Sequence, residues 1–154
     1  MPYLRTFINQ VVLTLRLVFH SINPKFSDLL AIFGFVHGTG TWKDNAEILY
    51  AEGIPLNEMI FCREGVYGYL YKKMKEKGFD DPCGLVYEIK EKVRRGKYHN
   101  GHMSEDIKDI LLECDVPQWY VESMQKIQYL FPKSYLVILL KREMNKYINN
   151  NQEI

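Results

Sequence analysis

The chain has 154 residues, of which 47% are hydrophobic and 14% aromatic, and its formal net charge at pH 7 is +1. This length suits one compact domain with its own core and is too short for two domains of ordinary size. The small net charge provides no large field for gripping a nucleic-acid backbone, so nucleic acid is not the favoured partner. We therefore predict a single domain over residues 1–154.

The cysteines indicate the cellular compartment, and the apolar segments indicate whether the chain spans a membrane. Cys62, Cys83 and Cys114 are widely spaced and form no CxxC pair, which favours free thiols in a reducing compartment over a structural zinc site. No stretch reaches the roughly 20 uninterrupted apolar residues of a membrane-spanning helix. The sequence predicts a cytoplasmic protein with no membrane span and no resident metal.

The N-terminal segment has the periodicity of an amphipathic helix. Apolar residues recur at helical spacing from Leu4 to Ile22, and Pro24 cannot continue the helix. We predict that residues 1–24 form a helix packed on the domain. A helix lying on a membrane surface is the alternative.

Beyond this helix, short apolar runs alternate with helical patterns. Helices are predicted over residues 41–53 and 66–78 and from Ser104 onward, while residues 92–102 are predicted to form a charged loop. Five runs rich in apolar or β-branched residues predict strands: 29–36, 60–61, 85–89, 119–124 and 135–140.

The run from His37 to Thr41 is the first candidate for chemistry. Its sequence, His-Gly-Thr-Gly-Thr, is a turn whose small residues let a ligand approach the backbone beside an imidazole and two hydroxyls. The spacing is not that of a phosphate-binding P-loop. By itself the run does not distinguish a ligand site from a structural turn.

The residues that follow give this run a context. His37-Gly38-Thr39 precedes Asn45, Ile48-Leu49 and Gly53, then Arg63 and Gly65-Val66-Tyr67, then Gly84-Leu85-Val86-Tyr87 and Pro132 with Tyr135-Leu136. In this order the motifs resemble the diphtheria-toxin-like and poly(ADP-ribose) polymerase family. The resemblance spans the chain from about Phe33 onward.

The resemblance implies an α+β fold, a split antiparallel β-sandwich with flanking helices and NAD⁺ bound in the cleft between its sheets. It implies a mono-ADP-ribosyltransferase that moves ADP-ribose from NAD⁺ to a macromolecular acceptor and releases nicotinamide. The acceptor is expected to be protein rather than nucleic acid. The small size suits a bacterial or phage effector or toxin, acting in its own cytoplasm or delivered into a host cytosol.

The resemblance also assigns roles to individual residues. His37, Gly38, Thr39, Asn45, Tyr67 and Arg63 would bind the dinucleotide, with Tyr67 stacked on nicotinamide. His37, Tyr67 and Glu122 would form the catalytic triad. Glu122 is the least constrained of these, and Glu58, Glu64 and Glu88 are rivals. Tyr67 also fits an ordinary core position, and Glu122 fits a solvent-facing one.

Two other functions stay open within the same resemblance. One is an RNA 2′-phosphotransferase-like enzyme that uses NAD⁺, for which Arg63, Arg94 and Arg95 are the candidate phosphate ligands. The other is a catalytically inactive domain that binds ADP-ribose or a protein partner. The basic run 90–97 is either a solvated loop or a patch that binds a target.

Overall fold

A computed structural model describes residues 25–152, with residues 146–148 and 150–152 described by their backbone alone. The described chain is helical. Its α-helices are α1 (Phe26–His37), α2 (Glu47–Ala51), α3 (Arg63–Glu76), α4 (Cys83–Arg94), α5 (Glu105–Glu113), α6 (Gln118–Lys126) and α7 (Lys133–Gln152). An irregular turn, Trp42–Ala46, precedes α2, and short 3₁₀ turns lie at Leu56–Glu58 and His99–Gly101. The helix predicted over residues 1–24 lies outside the described residues.

The predicted α+β split sandwich is wrong. Within residues 25–152 no strand forms, and the only β-type pairing there is an isolated antiparallel bridge between Thr39 and Tyr129. The predicted strands 29–36, 85–89, 119–124 and 135–140 all lie inside helices.

The strand predictions failed because a short apolar run fits a buried strand and a buried helix face equally well. The spacing of buried apolar residues over a longer stretch of sequence distinguishes a helix from a strand. In α4 the buried residues are Val86, Ile89 and Val93, at intervals of three and four, which place them on one side of a helix. Residues 60–61 lie in an irregular connection, which ends at Cys62, the N-cap of α3.

The helix predicted over residues 66–78 is confirmed as α3. It begins at Arg63 and ends at Glu76, just before Gly78, whose φ of +92° lies in the left-handed region that ends many helices. The helix predicted after Ser104 is confirmed as α5. All three cysteines are free, as predicted.

The main core forms where α3 packs on α4 and both face α5 and α6. Val66, Leu70 and Met74 recur every four residues along α3 and are completely buried. They belong to one apolar cluster that also holds Val86, Ile89 and Val93 from α4, Leu111 from α5, and Tyr120, Val121 and Met124 from α6. This cluster fixes α4 and therefore sets the direction of its charged outer face.

Helix α1 lies on a second side of the molecule. Leu30 packs with Cys62 and with Leu136 and Leu140 of α7, while Ala31, Ile32 and Phe35 pack against the segment from Trp42 to Met59. Helix α1 is thereby packed against the first two turns of α7. Within residues 25–152, no helix has the length and apolarity needed to cross a membrane.

Candidate nucleic-acid interface

His37 is the last residue of α1, not the end of a strand. Its Nδ1 lies 2.8 Å from the carbonyl oxygen of Phe33, one turn earlier in the helix. Its ring stacks on Phe33 and meets Phe131 edge to face, at centroid distances of 5.8 and 6.4 Å. These contacts fix the imidazole at the junction of α1 with the segment that leads into α7.

The Gly38–Thr41 turn packs against the backbone of residues 126–129. The Thr39 N–H donates to the Tyr129 carbonyl (3.0 Å), and the Thr39 carbonyl accepts the N–H groups of Gln128 (2.8 Å) and Tyr129 (3.2 Å). At Gly40, where φ is +72°, an added Cβ would lie 2.2 Å from the carbonyl oxygen of Lys126. The small residues of this turn therefore admit another part of the same chain.

Two buried polar side chains hold the turn from inside. The Thr41 hydroxyl donates to the Phe35 carbonyl at 3.0 Å. The Asn45 amide nitrogen donates to the Gly40 carbonyl at 2.9 Å and to the Ser123 carbonyl at 3.4 Å, and Asn45 is only 1% exposed. Asn45 thus joins the turn to α6.

The segment after α6 is anchored a second time at the end of α4. The Leu130 N–H donates to the Arg94 carbonyl at 3.2 Å. Gly96, with φ of +67°, lies so close to this segment that an added Cβ would sit 2.6 Å from the Gln128 carbonyl oxygen. Residues 128–130 are therefore clamped between the two glycine turns, and the Tyr129 side chain is left 41% exposed.

The outer face of α4 and the start of α3 carry a surface of cations and aromatic rings. We call it the basic-aromatic surface, and it consists of Arg63, Tyr67, Tyr87, Lys90 and Arg94, together with Tyr129, which interacts with Arg94 from the adjoining 128–130 segment. A cavity of about 370 Å³ opens on it, lined by five of these residues together with Glu64 and Glu91. The Lys90 ammonium lies 4.1 Å from the centroid of the Tyr87 ring, a cation–π distance.

Both acidic side chains at this cavity are already engaged. The Glu91 carboxylate accepts from Arg94 Nε (2.7 Å) and Lys90 Nζ (2.8 Å) and lies 3.3 Å from Arg95. The Glu64 carboxylate accepts the backbone N–H of Lys133 at 2.8 Å, at the start of α7, and lies 3.3 Å from Arg63. Three cations and two carboxylates around the cavity leave one excess positive charge.

The arrangement around Glu91 predicts a specific acid sensitivity. Hydrogen bonds from Arg94 and Lys90 lower the pKa of Glu91 from 4.5 to about 2. A lowered folded-state pKa stabilises the fold above the unfolded-state value, and this stabilisation is lost as the pH falls through the folded-state value. The unfolding free energy of the parent chain should thus fall between about pH 4.5 and pH 2, beyond the loss caused by other groups.

Glu91→Gln should remove this part of the pH dependence. The measurement is urea unfolding from pH 7 to pH 2 for the parent and the variant, with Glu113→Gln, a matched change on α5, as the control. If the parent and Glu91→Gln lose stability in parallel below pH 4.5, the interpretation of this cluster is wrong.

The other residues singled out from the sequence are dispersed. Tyr67 is half-buried on α3 and stacks on Tyr71 at 6.1 Å, and a hydrogen bond with Cys83 raises the pKa of its hydroxyl. Glu122 is exposed on α6, where its carboxylate accepts from Gln118 one turn earlier at 3.0 Å. Among the described contacts, none joins Glu122 to His37 or Tyr67.

Of the rival carboxylates, Glu58 and Glu64 line a common cavity whose lining does not include Glu88. Glu88 pairs with Lys92 along α4, Glu64 holds the start of α7, and Glu58 ends a 3₁₀ turn. Within residues 25–152, no three His, Cys, Asp or Glu side chains form a group that could hold a metal ion.

Sequence reasoning missed part of the basic-aromatic surface. It treats Lys90 only as part of a basic run and Arg94 also as a candidate phosphate ligand, and it gives Tyr87 and Tyr129 no binding role. The available signal was a run of five cations between Tyr87 and Tyr98, since surfaces that bind single-stranded nucleic acids combine positive charge with aromatic rings.

Comparison with known proteins shows which proteins the chain is similar to. No protein-family model matches the chain. It is 41% identical over 116 residues to a protein of Lactococcus lactis, an alignment that covers 73% of this chain and 7% of the relative. The relative is DNA polymerase III, PolC-type.

Relatives of the same description occur in other bacteria. The identity is 39% over 116 residues with the Clostridium perfringens protein and 35% over 119 residues with that of Thermotoga maritima. Each alignment covers 74% of this chain, and they cover 7% and 8% of the two relatives. The chain therefore spans less than a tenth of the length of these PolC-type polymerases.

These findings correct the functional predictions. The resemblance to ADP-ribosyltransferases is wrong, because curated relatives at 35–41% identity are PolC-type polymerases and because the described chain has no pair of sheets to enclose NAD⁺. The predictions that depended on this resemblance are also wrong. They are NAD⁺ as cofactor, the protein acceptor, the ADP-ribosyltransferase activity, the RNA 2′-phosphotransferase and ADP-ribose-binding alternatives, and the effector or toxin role. The NAD⁺-binding and catalytic roles given to His37, Gly38, Thr39, Asn45, Arg63, Tyr67 and Glu122 rested on that chemistry alone.

Proposed function

We propose that the chain is a helical segment that contacts DNA or nucleotide in DNA replication, equivalent to one part of a PolC-type DNA polymerase III. The similarity over 116 residues carries this proposal. We further propose that the described helices belong to one domain and that the protein acts in the bacterial cytoplasm. In a whole polymerase the partners would be template DNA and deoxynucleoside triphosphates.

The basic-aromatic surface supports a binding role. Arginine and lysine side chains pair with phosphate oxygens, and aromatic rings stack on bases without demanding a sequence. Arg63, Lys90 and Arg94 could hold phosphate groups, while Tyr87 and Tyr129 lie beside them as stacking surfaces. The shared chemistry is a phosphate next to a base, found both in a DNA strand and in a free nucleotide.

Nucleotidyl transfer uses paired divalent metal ions held mainly by carboxylates. The acidic side chains of the cavity do not fit such a pair, because Glu64 and Glu91 are engaged by arginines, lysines and a backbone N–H. We therefore assign this surface a part in binding and positioning, and route no step of the transfer through it.

Fluorescence anisotropy with a labelled primer–template duplex tests the proposal over a series of salt concentrations. Arg94→Ala should weaken binding and should lower the slope of log K against log salt by about 1, because one phosphate contact is lost. Lys72→Ala is the control, since Lys72 is an exposed α3 lysine outside this surface and the change in charge is the same.

Displacement of the duplex by a free deoxynucleoside triphosphate separates the two sources of phosphate. If the triphosphate displaces the duplex from the site that Arg94→Ala weakens, the surface binds the nucleotide. If the triphosphate does not displace the duplex, the surface binds the DNA strand. If the parent fails to bind both ligands at low salt, or if Arg94→Ala and Lys72→Ala behave alike, the proposal is wrong.

A further inference from the structure

A second cavity lies beside the basic-aromatic surface, between the end of α4 and the start of α5. It has a volume of about 470 Å³, and its lining includes Lys92, Arg95, Lys97, Tyr98, His102 and Ser104. We call it the Tyr98 pocket. Glu91 lines both cavities, so the two are neighbours along α4.

The hydroxyl of Tyr98 is the unusual feature of this pocket. Tyr98 is only 3% exposed, and its hydroxyl has no hydrogen-bond partner within the described residues. Buried hydroxyl groups are almost always paired, so an unpaired one marks the position of a group that the fold itself does not provide. Burial also raises the pKa of Tyr98, which keeps the hydroxyl protonated and able to donate.

The surroundings of this hydroxyl suit an anion. The Lys92 ammonium lies 5.9 Å from the centroid of the Tyr98 ring, and Lys92 and Arg95 are paired with Glu88 and Glu91 on the previous turn of α4. Lys97 makes no ion pair within residues 25–152, so its charge is uncompensated there. The three cations exceed the two carboxylates of the lining by one.

Helix α5 adds donors on the other side of the pocket. Ser104 is its N-cap, and the Ser104 hydroxyl makes no capping hydrogen bond. The helix has nine residues, and the N–H groups of a helix's first turn point away from the helix and carry a partial positive charge. Glu105 and Asp106 lie in this first turn but do not line the pocket, and Glu105 is paired with Lys108.

We propose that the Tyr98 pocket binds a phosphate group of a DNA strand, with the Tyr98 hydroxyl, the Lys97 ammonium and the Ser104 hydroxyl as donors. A single anion would accept a hydrogen bond from the unpaired Tyr98 hydroxyl and would also neutralise the excess positive charge of the lining. The DNA strand as the source of this phosphate rests on the proposed function. The strand would then contact α4 on both sides of Glu91.

Three variants test the pocket: Tyr98→Phe, Lys97→Ala and Ser104→Ala, with Tyr71→Phe and Lys108→Ala as matched controls. The first readout is the affinity for the labelled primer–template duplex. Tyr98→Phe should weaken binding about tenfold, the effect of one hydrogen bond to a charged group, while leaving the unfolding free energy equal or higher. Lys97→Ala should lower the salt slope by about 1. A water bonded to Tyr98, with no role in binding, would leave the affinity of Tyr98→Phe unchanged and would overturn the proposal.

The second readout is titration with inorganic phosphate, followed by NMR of the Tyr98 and His102 ring protons. The parent should show shifts that saturate, and Lys97→Ala should not. If the parent binds phosphate but not the duplex, the Tyr98 pocket is a phosphate site and the proposed function is wrong. If the duplex binds without any loss in the three variants, and phosphate shifts no ring proton, the pocket is wrong and the proposed function stands.

Discussion

Gly40→Ala is expected to lower the unfolding free energy by about 2–4 kcal/mol, because a left-handed conformation costs an L-residue roughly 1–2 kcal/mol and the steric overlap adds a similar amount. The new Cβ would lie 2.2 Å from the carbonyl oxygen of Lys126, and φ at this position is +72°. A backbone carbonyl cannot turn aside like a side chain. To accommodate the added methyl group, the end of α1 and the 126–130 segment would have to move apart.

Gly53→Ala is the matched control for this change. Gly53 has φ of +91° but has no atom within 4 Å of an added Cβ, so only the conformational cost applies. Urea unfolding of the two variants should differ by at least about 1–2 kcal/mol. Equal losses would mean that the Gly38–Thr41 turn does not pack on residue 126.

Asn45→Asp is expected to cost about 3–5 kcal/mol at neutral pH, the effect of an uncompensated buried charge. The amide nitrogen of Asn45 donates to the Gly40 and Ser123 carbonyl oxygens, and the substitution places a carboxylate oxygen against those acceptors. The introduced carboxyl has its pKa raised by this site, so the loss should shrink as the pH falls and the carboxyl becomes a donor.

The measurement is urea unfolding at pH 7 and again near pH 5. Asn57→Asp supplies the control, because Asn57 is exposed and the same change there should alter stability by no more than about 0.5 kcal/mol. A loss at Asn45 that matches the Asn57 loss would show that the amide does not bridge the turn and α6.

The sequence predicted α3 and α5 because their patterns extend over several turns and end at recognisable residues. Val66, Leu70 and Met74 continue one face over three turns, and Gly78 follows. Four of the predicted strands were instead windows of five to eight residues taken out of longer helices. Over so short a window an apolar run carries no periodicity, and the helix of 85–89 becomes evident only when Val93 is included.

The candidate site was partly visible in the sequence. The small residues from Gly38 to Gly40 predicted that a ligand could approach the backbone closely, and the structure places the protein's own Lys126 carbonyl there. That contact joins residues 86 positions apart, and nothing local in the sequence specifies it. The family resemblance failed for a related reason: short motifs of common residues matched in order, although the elements that carried them were helices.

The double clamp on residues 128–130 ties three ends of helices into one cooperative unit. The carbonyl of Arg94 accepts the Leu130 N–H, while the Arg94 side chain belongs to the basic-aromatic surface. Thr39 is bonded to the same strip of chain. We therefore expect a ligand that immobilises Arg94 to slow hydrogen exchange at the amides of Thr39, Gln128 and Leu130, so that binding at the surface has an effect at the C-terminal end of α1.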